Sequence, residues 1–298
     1  MKLLVTGHLG FVGTFVLADG HSVGLCDADG QPINVLDAPA VQACVDRERP
    51  DAVLHLAAQS FVPDSFRDPR ATFDANFIGT QILLETLQAS GFQGRFLFVS
   101  SADVYGALSE DQLPASEAMQ PRPLNPYAVS KVAAETLCGY WQRAEGMDVV
   151  VARPFNHIGP GQSTRFAISD FAKTIAAIRL GKADRQLEVG DLDVTRDFTD
   201  VRDVVAAYRL LLSHGKRGET YNICSGIERH LGDTVQLLAE LAGIDIELKT
   251  DPARFRKAGQ RRACGNPDKL RADTGWQPRI AWPTSLRDIL EYWENQQK

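Results

Sequence analysis

The chain lacks the usual marks of a metal, disulfide or membrane protein. Its five cysteines (Cys26, Cys44, Cys138, Cys224, Cys264) lie far apart, so none pairs at metal-ligand spacing. That usage suits reduced, packed thiols and a cytoplasmic setting. The six histidines form no ligand cluster, and no metal site is expected. No apolar run approaches the ~20 residues of a membrane span. Met1-Lys2 runs straight into the strand-like Leu3-Leu4-Val5, so no signal peptide is expected. A basic face is missing as well. Net charge is −6 with acids and bases interspersed, which speaks against a sequence-independent nucleic-acid binder. Internal repeats and low-complexity tracts are absent.

What remains is a chain of 298 residues with 44% hydrophobic content, enough for one large α/β unit or a core with an attached lobe. Short apolar runs at 2–6, 52–56, 95–100 and 148–153 alternate with helix-period stretches such as 75–88 and 126–144. Their near-continuous apolar character suits strands buried on both faces, which predicts a doubly wound parallel sheet. After Arg153 the texture breaks at Pro154, Gly159, Pro160 and Gly161. Helices are expected at 168–180, 233–242 and from Ser285, with a late strand at 220–224 and an Arg-rich loop at 254–262. The expected division is a sheet-bearing core, 1–155, and a smaller lobe, 156–298, of which about 190–225 returns to the sheet.

Three features carry chemistry. Thr6-Gly7-His8-Leu9-Gly10-Phe11-Val12-Gly13 directly follows the first strand. Glycines at 7, 10 and 13 permit a tight turn and close backbone approach to a pyrophosphate, and the next helix offers its N-terminal N–H groups. That helix reads as short. Ser100-Ser101 ends an apolar run. Tyr127 and Lys131 lie four apart, on one helix face. An ammonium beside a phenol lowers its pKa and prepares a proton donor. Together these features describe a nicotinamide-dependent enzyme. Asp27, about twenty residues past the first glycine, reads as the close of the second strand. It is either a ribose acceptor, favouring NAD, or the acid of an Asp27-Ala28-Asp29-Gly30 turn. Asp37 is an adenine contact or the cap of a helix opening at Ala38-Pro39.

With His55-Leu56-Ala57-Ala58-Gln59, Asp74-Ala75-Asn76, Ser100-Ser101-Ala102-Asp103-Val104-Tyr105-Gly106 and Tyr127-xxx-Lys131, the chain resembles the extended short-chain dehydrogenase/reductases over essentially its whole length. Arg153-Pro154-Phe155-Asn156-His157-Ile158-Gly159-Pro160-Gly161-Gln162 and Asp193-Val194-Thr195-Arg196-Asp197-Phe198 look like the nucleotide-sugar branch. Within it, the match is nearest to the reductases of GDP-4-dehydro-6-deoxy-D-mannose, sisters of the GDP-mannose 4,6-dehydratases. The resemblance implies a Rossmann fold, NADH or NADPH as cofactor, and a GDP-linked 6-deoxy-4-keto sugar reduced at C4 to GDP-6-deoxy-D-mannose (GDP-D-rhamnose). It implies no nucleic-acid or membrane partner, and a homodimer packed through the helices near 76–88 and 126–144.

The family roles fall on residues of this chain. Tyr127 would protonate the C4 oxygen, Lys131 would hold the nicotinamide ribose, and Ser101 would polarise the carbonyl. Gly7, Gly10, Phe11, Val12, Gly13, Asp27, Asp37, Leu56, Ala57, Ala58, Gln59 and Asn76 complete the cofactor set. Asn76 either braces the lysine helix or caps a turn. Related dehydratases resemble a Glu at position 103, which removes the C5 proton. Here Asp103 is one methylene shorter, so elimination is disfavoured and Asp103 is left to bind a sugar hydroxyl or cap a loop. Arg196 and Arg256 are the candidates for the diphosphate, with Asn156 for a phosphate or sugar oxygen. Lys257 stands where the relatives carry a proline. Phe166, Lys173 and Glu188 are candidates for the base pocket. His157 is read as packed rather than as an acid. Two other functions compete: a 4,6-dehydratase or 4-epimerase of a nucleotide sugar, and a dinucleotide-sensing scaffold without chemistry. The retained Ser101, Tyr127 and Lys131 count against the scaffold.

Overall fold

The computed structural model describes residues 1–18, 20–254 and 260–298. In chain order the strands are β1 (Leu3–Thr6), β2 (Ser22–Gly24), β3 (Ala52–His55), β4 (Arg95–Val99), β5 (Asp148–Pro154), β6 (Asn156–Ile158), β7 (Gln186–Val189), β8 (Thr195–Asp200), β9 (Thr220–Ile223), β10 (Glu228–His230), β11 (Glu247–Thr250) and β12 (Arg262–Ala263). The helices are α1 (Phe11–Leu17), α2 (Ala38–Glu48), α3 (Val62–Arg67), α4 (Pro69–Phe73), α5 (Gly79–Ala89), α6 (Pro126–Ala144), α7 (Ala167–Arg179), α8 (Val201–His214), α9 (Leu231–Ala242), α10 (Asp268–Thr274) and α11 (Trp282–Gln297). A π-helical turn, Asp74–Ile78, precedes α5. Among the described residues no helix is long and apolar enough to cross a membrane.

Six parallel strands form the main sheet in the order β2-β1-β3-β4-β5-β9. Both faces are apolar, as their sequences require. Leu3, Val5, Leu54 and Val150 pack toward α1 and α8, while Leu4, Val53, Phe96 and Val149 pack toward α2, α5 and α6. From β1 the chain passes to β2 on one side and then to β3 on the other. The order therefore reverses between β1 and β3, and a crevice opens beyond their carboxyl ends.

The second half builds a smaller layer. α7, α9 and α11 pack around Phe198, Leu187 and Val189. β8 is flanked by β6, β10 and β12, and β7 pairs with β11. Only one residue separates β5 from β6, so this layer grows from the carboxyl end of the main sheet.

Candidate active site

The glycine turn lies at the switch point. Gly7 has φ +67, and a Cβ there would stand 2.8 Å from the Ala57 backbone nitrogen, so the loops after β1 and β3 nearly touch. A Cβ on Gly13 would meet the Gly7 carbonyl at 2.5 Å and the His8 Cα at 2.6 Å. These glycines let the turn close tightly on itself, so that backbone rather than side chain faces the crevice, which fits a dinucleotide. Gly13→Ala is expected to force the turn apart, cost roughly 1–3 kcal/mol and weaken NADPH binding at least several-fold. A fluorescence titration with the purified variant checks it, and unchanged affinity would mean that the turn does not hold the cofactor.

A chain of buried hydrogen bonds joins this turn to α6. Thr6 Oγ1 accepts from Ala57 N at 3.0 Å and meets His55 Nδ1 at 2.7 Å. His55 Nε2 meets Thr80 Oγ1 at 2.9 Å, and that hydroxyl donates to the Asn76 carbonyl at 2.7 Å. The Thr80 proton is thus spent, so His55 Nε2 must donate. Burial, with the Lys131 charge behind it, pushes the His55 pKa down to about 3, so the ring is neutral and Nδ1 accepts from Thr6 Oγ1. Asn76 then donates through Nδ2 to Ser130 Oγ (2.9 Å), which donates to the Tyr127 carbonyl (2.7 Å). Asn76 also exchanges bonds with the Gln59 backbone at 2.8 and 3.1 Å. It braces the helix directly, and the π-turn aims it there.

α6 starts sharply because Asn125 caps it, accepting from Ala128 N at 2.7 Å, with Pro126 in the first turn. Tyr127 and Lys131 are both buried. Lys131 Nζ donates to the Val99 carbonyl at 2.8 Å, at the carboxyl end of β4, and lies 5.1 Å from the Phe98 ring centroid. Ser101, two residues past β4, interacts with the Tyr127 phenol and also accepts from Asp103 N at 3.1 Å. The structure therefore gathers Ser101, Tyr127, Lys131 and Asn76 at the carboxyl end of the sheet.

The expected effect of Lys131 on the phenol is corrected. Burial dominates and raises the Tyr127 pKa, the Asp103 charge adds to the rise, and the Ser101 hydrogen bond lowers it only in part. The ammonium is turned to a carbonyl, and burial pushes Lys131 itself down to about 8. Tyr127 is held as a neutral phenol, with its proton in place.

Other expected residues scatter. β2 ends at Gly24, so Asp27 does not close it. Asp27 instead accepts from Asp29 N (2.9 Å) and Gln31 N (2.8 Å), which is the turn arrangement. Asp37 caps α2, accepting from Ala40 N at 3.1 Å. Phe11, Ala58, Gln59, Phe61, Arg165 and Phe166 line a cavity of about 350 Å³. Gln59 Oε1 is buried there without a partner among the described residues. Across the mouth, Arg165 pairs with Asp64 and lies 3.8 Å from the Phe61 ring centroid. Asn156 opens β6 and is exposed; its register partner on β8 is Phe198. Arg196 lies on β8 and donates to the Thr195 carbonyl at 2.7 Å. Lys173 does not join the cavity; its ammonium lies 5.5 Å from the Trp293 ring centroid on α11. Glu188 is exposed on β7 and paired with Lys249 at 3.5 Å. Arg256 lies outside the described residues. His157 is packed, its ring stacked 6.2 Å from Phe11, and burial lowers its pKa. Among the described residues no cluster of His, Cys, Asp or Glu could hold a metal.

Sequence reasoning passed over the Thr80, Ser130 and Arg165 contacts. Tyr105, Arg153, Glu135 and Asn222 also form a buried network behind α6: Tyr105 OH donates to Asn222 Oδ1 at 2.7 Å, and Arg153 pairs with Glu135 at 2.6 Å. Only the charge of Arg153, following the apolar run Val149-Val150-Val151-Ala152, could have betrayed it.

Comparison with known proteins agrees with this geometry. The family model for GDP-mannose 4,6 dehydratase matches residues 31–289. A GDP-6-deoxy-D-mannose reductase of Pseudomonas aeruginosa is 48% identical over 297 residues, covering 99% of this chain and 97% of the relative. A GDP-6-deoxy-D-talose 4-dehydrogenase of Aggregatibacter actinomycetemcomitans is 33% identical, covering 98% and 96%. The structure of RMD from Pseudomonas aeruginosa complexed with NADPH superposes with a TM-score of 0.94 at 46% identity, covering 99% of each chain. The chain belongs to the GDP-mannose 4,6 dehydratase family of the extended short-chain dehydrogenase/reductases.

Proposed function

We propose that this protein reduces the C4 keto group of GDP-4-dehydro-6-deoxy-D-mannose with NAD(P)H, giving GDP-6-deoxy-D-mannose. The observation that carries the reading is the group formed by half-buried Ser101 and buried Tyr127 and Lys131 at the carboxyl end of the sheet, in a chain so similar along its length to a GDP-6-deoxy-D-mannose reductase. The reduced nicotinamide supplies the hydride. Gly7, Gly10 and Gly13 admit the pyrophosphate, and Lys131 holds the ribose. Ser101 orients the ketone by hydrogen bonding to its oxygen, and Tyr127 gives up its proton there as charge develops. A neutral, buried phenol suits a reductase, which must begin its cycle with that proton in place. The exposed, short Asp103 is left to contact the sugar.

The test is oxidation of NADPH or NADH by the keto sugar, with a product two hydrogens heavier. Loss of water from GDP-mannose instead would make the protein a dehydratase. The same assay run against pH tests the lysine. Lys131 is charged below about 8 and neutral above, so kcat/KM is expected to fall as pH rises through that value. Lys131→Met should lack this limb, and a wild-type profile flat across it would remove the lysine charge from the step.

In this reading residues 1–155 serve the cofactor and 156–298 mainly the sugar nucleotide. The enzyme works in the cytoplasm as a homodimer. Val129 and Tyr140 support the dimer: eleven residues apart on α6, they share a face and are 41% and 49% exposed. Light scattering at the mass of two chains is expected, and a monomer at micromolar concentration overturns it.

A further inference from the structure

Arg229, in the middle of β10, has a buried Nε with no hydrogen-bond partner among the described residues. β10 runs antiparallel to β8, and Arg229 stands directly opposite Arg196. Cross-strand partners project to the same face, and two like charges so placed repel. Burial weighs further against the charge on Arg229. Among the described residues no salt bridge reaches it. The carboxylate whose charge acts on it, Asp197, is already engaged. Asp197 Oδ1 accepts from Ser225 N and Oγ at 2.8 and 2.6 Å, and Oδ2 accepts from Gly226 N at 2.9 Å. By strand alternation its side chain leaves β8 on the face opposite Arg196.

The arginine is fixed in another way. Its guanidinium carbon lies 4.5 Å from the centroid of the Trp282 ring, and that indole stacks on Phe198 at 5.6 Å. A planar cation held by its face keeps its edge donors unspent, which is how a guanidinium presents itself to phosphate oxygens. Phe198 is also the register partner of Asn156, at the start of the strand that leaves the carboxyl end of β5. Arg229 is thereby tied to the end of the sheet where Ser101 and Tyr127 meet.

We propose that Arg229 is a guanidinium for the diphosphate of the sugar nucleotide, reaching it from β10 beside Arg196. This rests on the nucleotide-sugar reading above. It accounts for a buried donor that has no acceptor among the described residues.

The experiment titrates the full, NADPH-loaded enzyme with GDP by calorimetry at several salt concentrations. Arg229→Met keeps the aliphatic packing on Trp282 while removing the fork, and Arg229→Lys keeps charge without the fork. In Arg229→Met the GDP dissociation constant is expected to rise on the order of tenfold, with a shallower salt dependence. KM for the keto sugar should rise in step, with kcat, NADPH affinity and melting temperature nearly unchanged. Arg229→Lys should fall between. Wild-type GDP affinity and salt dependence in both variants overturn the proposal and leave the reductase reading standing. If the wild type binds UDP or dTDP in place of GDP, the base reading fails, and the same comparison with that nucleotide decides the arginine. If it binds no nucleoside diphosphate, both fall.

Discussion

Tyr127→Phe is expected to abolish reduction of the keto sugar, by roughly 10²–10⁴-fold in kcat, while the enzyme still folds and binds NADPH. The substitution removes one hydroxyl and keeps the ring in its buried place. The brace behind it is untouched, because Ser130 bonds the Tyr127 backbone carbonyl and not the phenol. What is lost is the proton source. Other candidates are poorly placed to replace it. His157 is packed against Phe11 with its Nδ1 3.1 Å from the Phe155 carbonyl. Lys131 is turned to the Val99 carbonyl. Asp103 is exposed to solvent in the single turn that follows Ser101. Ser101→Ala should cost less than the tyrosine change, since the phenol still meets the ketone oxygen. Steady-state rates, NADPH fluorescence and a melting curve on the same preparations separate these outcomes. A Tyr127→Phe variant within tenfold of wild type would move the proton donor elsewhere.

The parts of this arrangement that could be read in the chain are those written locally. α6 could be placed because the helix-period stretch from Pro126 puts Tyr127 and Lys131 on one face, and it runs Pro126–Ala144 as expected. β1, β3, β4 and β5 could be placed because each is a short apolar run buried on both sides. Direction was harder than position. A spacing of four puts Lys131 and Tyr127 side by side, but the Val99 carbonyl, brought in by β4, decides where the ammonium points. β2 defeated the reading of Asp27 because it is three residues long and only half-buried, with no apolar signature to fix its end. The β7–β11 pair joins residues about sixty apart in the chain, and β11 is exposed throughout, so no periodicity marks it. The Thr6–His55–Thr80–Asn76 chain was hidden for a related reason. Its members stand on four elements, and their hydrogen bonds exist only once the sheet has formed.

The Arg153–Glu135 pair is where a single substitution should cost the most stability. Arg153, on β5, donates to both carboxylate oxygens of Glu135, at 2.9 and 2.6 Å, and to Tyr105 OH at 3.1 Å. Its charge also lies 4.9 Å from the Tyr105 ring centroid. Burial disfavours the charge, but hydrogen bonds and attraction from Glu135 outweigh it and hold the Arg153 pKa above the usual guanidinium range. Arg153→Met would leave a carboxylate that is only 10% exposed without its cation. The expected loss is about 3–5 kcal/mol, a fall in melting temperature on the order of 10 °C. Adding Glu135→Leu should restore most of it, because two apolar side chains of similar volume no longer strand a charge. The double variant then isolates function from folding. Glu135 lies one turn beyond Lys131 on α6, so the pair anchors to the sheet the turn that carries the lysine. A double variant that melts near wild type but reduces the keto sugar more slowly would show that the pair positions Lys131. Full activity would make it a matter of stability alone, and a melting temperature unchanged in Arg153→Met would remove the pair from both.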